Sequence, residues 1–212
     1  KIALFTNVPK HAVISAFDVE NVYDIPLNYQ SAKLPQIICD HFKMSVCKTD
    51  LVEWKEFLDN FNNSSGMVSI AVCGKYVKHH DAYKSVAEAL MHAAARNKTH
   101  LTIKWVNSES TATEGELEND LKDIDGILIP GGFGMRGIEG KIAVAKYARE
   151  RNIPCLGICL GMQVMAIDFA RNVCNLEDAN STEFAYDAQN PVIHMVEDQK
   201  YINMIGRSEE HT

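Results

Sequence analysis

The chain changes character near residue 66. The run Val68-Ser69-Ile70-Ala71-Val72-Cys73 is short, apolar and closed by Gly74, which predicts a strand buried on both faces. Asp81 then stands ahead of Tyr83, Val86, Ala87, Leu90, Met91 and Ala94. Those apolar positions recur at helical spacing behind a potential N-cap, so a helix is expected there. The alternation repeats with a strand over 101–106, a helix over 114–121, a strand over 127–129, a helix over 138–149, a strand over 155–158 and a helix over 160–170. Such a pattern implies parallel strands joined by right-handed crossovers. The expected fold class is α/β, an open, mostly parallel sheet with helices on both faces. Sites in these folds lie beyond the carboxyl ends of the strands.

Residues 1–59 are patterned differently. Lys1-Ile2-Ala3-Leu4-Phe5 reads as a strand, Val13-Ile14-Ser15 as a short apolar segment, and Asp18 to Tyr29 as a helix. This part is too small to be a domain alone. Residues 60–66 are polar, rich in Asn and Ser, and end in Gly66, so they read as a linker. The expected organisation is a short extension from a preceding α/β domain over 1–59, a linker over 60–66 and a second domain over 67–212. The chain opens on Lys1 and runs directly into apolar residues, so it is expected to be part of a longer protein.

Composition narrows the function classes. With 212 residues, 46% of them hydrophobic, the chain can bury one core and a smaller appended unit. A formal net charge of -7, without any Lys/Arg-rich block, argues against nucleic acid as a partner. No apolar run approaches the roughly 18–20 residues that cross a bilayer, and no signal-peptide pattern opens the chain. A soluble, cytoplasmic protein without a membrane partner is expected. The cysteines, Cys39, Cys47, Cys73, Cys155, Cys159 and Cys174, form no C-x-x-C pairs. They suggest neither a disulfide framework nor a zinc site, and no metal ligands are assigned within the chain.

The stretch Gly157-Ile158-Cys159-Leu160-Gly161-Met162-Gln163 carries the most chemistry. A buried strand runs straight into a helix with Cys159 at the turn, and Gly157 and Gly161 flank it at the spacing of a nucleophile elbow. Glycines are needed because a sharp strand-to-helix turn leaves no room for side chains beside the nucleophile. At a helix N-terminus the backbone dipole and free N–H groups favour a thiolate. Most free cysteines are small buried residues, and Cys39, Cys73, Cys155 and Cys174 read that way; Cys159 reads as a nucleophile. Pro130-Gly131-Gly132-Phe133-Gly134 follows the strand over 127–129 and so lies at another carboxyl edge. Clustered glycines let backbone N–H groups face a developing oxyanion. The implied chemistry is acyl transfer: attack on a carboxamide, release of ammonia, then hydrolysis of a thioester. The N–H groups of Gly132 and Leu160 would hold the tetrahedral oxygen.

The elbow, the loop over 130–134 and Asn180-Ser181-Thr182-Glu183-Phe184 together resemble the class I glutamine amidotransferase domain of the CTP synthases. The likeness extends through Gly74-Lys75-Tyr76 and Asp81-Ala82-Tyr83-Lys84-Ser85-Val86. At the front, Lys1 to Phe5, Ala12 to Ser15 and Asp18-Val19 resemble the last stretch of that family's synthetase domain. The resemblance implies a glutamine-hydrolysing CTP synthase, in which ATP with Mg2+ activates the 4-oxygen of UTP and ammonia from glutamine displaces it. It implies glutamine contacts from Gly132, from Leu160, Gly161, Met162 and Gln163, and from Glu183, a carboxylate suited to the substrate's ammonium. Lys1 would meet the pyrimidine nucleotide, and Phe17, Asp18 and Val19 would border the ATP adenine, although Asp18 would equally suit a helix N-cap. GTP activation and a homotetramer are implied in the same way.

The family also carries a His-Pro-Glu segment late in this domain, and these 212 residues contain none. His211 is followed only by Thr212, and none of the eight histidines reads as a general base. Gly206-Arg207-Ser208 resembles a point well downstream of the residues before it. The domain is therefore expected to be incomplete at its C-terminal end. Two other readings compete: a non-catalytic regulatory or assembly module on the same fold, and a related cysteine hydrolase.

Overall fold

Backbone contacts divide the chain into two units, Lys1–Ser65 with Ala95–Thr99, and Gly66–Ala94 with His100–Thr212. The computed structural model describes residues 1–45, 50–77, 80–109, 114–132 and 134–194.

The first unit departs from expectation at its start. Residues 2–6 form a helix, α1 (Ile2–Thr6), rather than a strand. Residues 1–65 contain no strand among those described, so this backbone satisfies itself locally. Leu4 and Phe5 both donate from N–H to the Lys1 carbonyl, at 3.0 and 3.1 Å. The helix expected from Asp18 begins later. The Asn21 side chain accepts from the Tyr23 N–H at 3.0 Å, a single 3-10 turn covers Val22–Asp24, and α2 runs over Ile25–Ser31 with a proline in its first turn, where the missing N–H is tolerated. Helices α3 (Leu34–His41) and α4 (Val52–Asn62) complete the unit. The polar run at 60–66 is not all connection, because residues 60–62 are the last turn of α4 and Gly66 opens the next strand. Trp54, Phe57, Leu58 and Phe61 share one face of α4 at helical spacing and carry the helix through its asparagines. Tyr23 packs edge-on against Phe57 with centroids 5.2 Å apart, and its carbonyl accepts from Trp54 Nε1 at 2.8 Å.

The second unit alternates as the pattern predicts: β1 (Gly66–Gly74), α5 (Lys84–Arg96), β2 (Thr99–Asn107), α6 (Glu114–Asp120), β3 (Gly126–Ile129), α7 (Ile138–Glu150), β4 (Cys155–Gly157) and α8 (Leu160–Asn172). Asp81 lies inside a 3-10 turn over His80–Tyr83 and is not an N-cap, since α5 starts only at Lys84. The sheet order is β2-β1-β3-β4. β1, β3 and β4 run parallel, with Ala71 opposite Ile127 and Ile127 opposite Cys155. From β1 the chain moves one way to β2, then returns to the other side with β3 and β4. The carboxyl ends of β1 and β3 therefore flank a topological switch, the usual place for a ligand in an open α/β sheet. A pair of short parallel strands, β5 (Ala179–Ser181) and β6 (Asn190–Ile193), follows α8. Neither shows the alternation that would have predicted it.

The core lies between the sheet and α7 and α8, which pack on each other and on β3 and β4. Ile127, Ile129, Ile142, Val164 and Ile167 are buried in it. Asp168 is buried within the same face of α8, 2% exposed. Its carboxylate accepts from Arg149 Nε at 2.8 Å and Nη2 at 3.2 Å, and from Asn172 Nδ2 at 2.9 Å. Those bonds clamp α7 to α8. Asp168→Leu should lower stability by about 2–3 kcal/mol, because charge-assisted bonds are lost while the partly exposed Arg149 can still reach water. A urea titration checks this, with a lowered midpoint and an unchanged slope expected.

Candidate active site

Cys159 occupies the junction of β4 and α8 with φ 52° and ψ -110°, a conformation that costs a non-glycine residue about 1–3 kcal/mol. Packing on both sides imposes it. A Cβ on Gly157 would stand 2.4 Å from the Gly161 carbonyl carbon, and a Cβ on Gly161 would stand 2.0 Å from the Ile129 carbonyl oxygen. The first turn of α8 thus rests directly on the backbone of two strand ends. Ile158 N–H donates to Ile129 O at 3.0 Å and Gly161 N–H to Ile158 O at 2.8 Å, closing the turn. The chain can pass only by turning Cys159 outward, and its thiol is exposed.

The glycine loop lies against this turn. A Cβ on Gly131 would be 3.4 Å from Cys159 Cβ, and one on Gly132 would be 3.7 Å from Leu160 Cδ2. Sequence reasoning placed these two segments one strand apart, and the parallel pairing of β3 with β4 sets them side by side. Phe133 lies outside the described residues; Gly134 has φ 77°, a conformation glycine adopts freely. Leu160 opens α8, and the first N–H groups of a helix have no partner within it. Leu160 and Gly161 are buried and Met162 is half exposed. Gln163 Oε1 is buried with no hydrogen-bond partner among the described residues. An orphaned acceptor one turn from the nucleophile is where an incoming N–H donor would be welcome.

Burial separates the thiols. It pushes Cys155 up to about 11, with the nearby Asp168 adding to the shift. Cys73 is raised further, again by burial first and then by Cys155. Both stay protonated at neutral pH. Cys39 is half-buried on α3 and Cys174 is exposed beyond the end of α8; Cys47 lies outside the described residues. Among the described residues no side chain hydrogen-bonds the Cys159 thiol.

Glu183 is exposed, on the turn that leaves β5. The buried Ser181 organises that turn, its hydroxyl accepting from the Glu183 N–H at 3.2 Å and its carbonyl from Phe184 N–H and Ala185 N–H at 3.0 and 2.9 Å. Arg171 ties the segment to α8 by donating from Nε to Ala179 O at 2.8 Å. Lys1, Phe17, Asp18 and Val19 belong to the first unit. Lys1 precedes α1, and residues 17–19 are irregular, with Phe17 and Asp18 exposed. Asn21, not Asp18, caps the turn that follows. His211 and residues 206–208 lie outside the described residues.

Sequence reasoning missed Lys141. It is 1% exposed, its Nζ donates to the Pro130 carbonyl at 3.0 Å, and a Cβ on Gly132 would lie 3.6 Å from that nitrogen. Its ammonium is pushed down to about 8 by burial first and by Lys75 second, while Cys73 and Cys159 act the other way. The available signal was positional. Ile138, Lys141, Ile142, Ala145 and Ala148 form one helical stripe in which four members are apolar.

Residues 78–207 match the family Glutamine amidotransferase class-I, and residues 1–44 match CTP synthase N-terminus. A curated relative named CTP synthase from Halalkalibacterium halodurans is 49% identical over 206 residues, 97% of this chain and 38% of its own length. Another CTP synthase, from Buchnera aphidicola, is 51% identical over 196 residues, 92% of this chain and 36% of its own. The chain thus spans less than two fifths of these relatives. Among solved structures, the Trypanosoma brucei CTPS glutaminase domain with bound acivicin superposes with a TM-score of 0.58 at 40% identity, over 62% of this chain and 51% of that one. The family match covers more than half of the chain and takes in both the elbow and the loop beside it, so this chain belongs to the class-I glutamine amidotransferases.

Proposed function

We propose that this chain carries out the glutaminase step of a CTP synthase, releasing ammonia from glutamine for the amination of UTP to CTP. One observation carries the reading: Cys159 is forced outward at a strained turn with a glycine loop packed beside it. In this reading the Cys159 thiolate attacks the carboxamide carbon, and the N–H groups of Gly132 and Leu160 stabilise the tetrahedral oxygen. Collapse, with a proton taken up from water, expels ammonia and leaves a thioester, which water hydrolyses to glutamate and the free thiol. Gln163 accepts an N–H from the bound substrate, Met162 and Gly161 border it, and Glu183 pairs its ammonium.

The relatives named CTP synthase support the rest of the reaction. ATP and Mg2+ would act in the synthetase part, with Lys1 toward the pyrimidine nucleotide and Phe17, Asp18 and Val19 toward the adenine. The run at 60–66 would separate that part from the amidotransferase domain. Among the described residues no group of three or more His, Cys, Asp or Glu could hold a metal ion. GTP activation, a homotetramer and a cytoplasmic location complete the proposal. For membranes, no helix among the described residues is long and apolar enough to cross one. The competing reading, a regulatory module with an idle thiol, draws on the lack of a hydrogen-bond partner for Cys159 among the described residues.

A diazo-ketone analogue of glutamine tests the site directly. It should alkylate Cys159 in preference to the exposed Cys174 and the buried Cys73 and Cys155, as read by peptide mapping; an adduct elsewhere would remove Cys159 from the chemistry. In the intact protein, Cys159→Ala should abolish CTP formation from glutamine and leave formation from added ammonia nearly unchanged. Equal loss with both nitrogen sources would make the cysteine structural. Glu183→Ala should remove about 1.5–3 kcal/mol of charge-assisted binding, raising the apparent KM for glutamine roughly tenfold or more. A solvated surface carboxylate would leave that KM alone and shift stability by under about 0.5 kcal/mol.

A further inference from the structure

A lysine ammonium buried to 1% exposure is a poor structural device. A methionine would fill the same space without desolvating a charge. Lys141 nevertheless sits in the core-facing stripe of α7, and what it touches belongs to the glycine loop. Its hydrogen bond goes to the carbonyl of Pro130, the first residue of the loop, and its nitrogen lies within reach of the space beside Gly132. A second ammonium, Lys75 at the end of β1, approaches the loop from its other end, 3.8 Å from where a Cβ on Gly134 would stand.

A loop containing Gly131, Gly132 and Gly134 has wide backbone freedom and cannot fix its own N–H directions. The peptide group is planar, so anchoring one carbonyl orients the N–H of the same peptide in the opposite direction. Holding Pro130 O toward α7 therefore sets the plane of the Pro130–Gly131 peptide, one residue before Gly132. The groups that bear on Lys141 are Lys75, Cys73 and Cys159, and with burial they leave it charged at neutral pH.

We infer that Lys141 is a positioning residue for carboxamide hydrolysis at Cys159, its ammonium holding the Pro130 carbonyl so that the loop presents the Gly132 N–H to the tetrahedral oxygen. The inference rests on the glutaminase reading above. Lys141 itself touches no substrate. Its effect should appear in the step that creates the oxyanion and not in glutamine binding or in thiol reactivity.

The test compares Lys141→Met, Lys141→Gln and Lys141→Arg in the intact protein by glutamine hydrolysis, by Cys159 alkylation with iodoacetamide and by thermal midpoint. Met removes the donor, Gln is one bond too short to reach Pro130, and Arg keeps both charge and donor. Loss of a direct oxyanion donor lowers kcat by about 100- to 1000-fold, so loss of its support should lower kcat about 10- to 100-fold in Met and Gln, with KM within about twofold. Arg should recover most of that loss. Iodoacetamide forms no oxyanion, and its rate at Cys159 should stay within about twofold of the unsubstituted protein. If the Met variant does not fold, the polar Gln variant gives the same reading. A kcat within twofold of the parent in Met or Gln would overturn the inference, as would a parallel fall in the iodoacetamide rate. An unsubstituted protein that neither hydrolyses glutamine nor takes the diazo-ketone at Cys159 would instead overturn the glutaminase reading.

Discussion

One close approach in the second unit is between backbones. Gly161, in the first turn of α8, approaches the Ile129 carbonyl so nearly that a single methyl group at 161 would overlap it. Everything at the site follows from that approach. It seats α8 on the ends of β3 and β4, leaves only an outward path for Cys159, and brings the loop after β3 alongside the thiol. The two parallel pairings set the height of the strand ends, and the clamp from Arg149 to Asp168 keeps α7 and α8 in register above them. Geometry usually associated with side chains is here determined by where side chains are absent.

The same logic explains what was legible beforehand. Strands β1, β3 and β4 and helices α7 and α8 announce themselves by apolar periodicity, and the elbow by glycines whose spacing has a steric meaning. The first unit was harder to read. Four apolar residues, Ile2 to Phe5, fit a strand or a helix equally well, and α1 forms where no strand among the described residues of 1–65 offers a partner. The asparagines ending α4 look like a linker until Trp54, Phe57, Leu58 and Phe61 are seen to share a face. β5 and β6 are three and four residues long, too short for any period to show.

The buried charges were missed for a related reason. Lys141 on α7 and Asp168 on α8 occupy positions where the period calls for an apolar residue, and a solvated surface charge is the ordinary reading of either type. Their placement marks the two functions of the helix pair. Asp168 is satisfied by three donors and binds helix to helix. Lys141 reaches past the helix to the backbone of a loop, and its partner is a carbonyl at the edge of the site. A charged residue interrupting an apolar stripe is thus the sequence signal most worth following in a fold of this kind.

The backbone angles of Cys159 carry a consequence for how such a chain can drift. Glycine would occupy φ 52° without strain, whereas cysteine holds it at a cost of about 1–3 kcal/mol, a sizeable fraction of a domain's whole margin of about 5–15 kcal/mol. Folding alone would therefore favour replacing the thiol, and random substitution at position 159 has an uphill and a downhill direction. A lineage released from the need to cleave amides would tend to lose this cysteine while gaining thermal stability. The residue is kept against the preference of the fold that displays it.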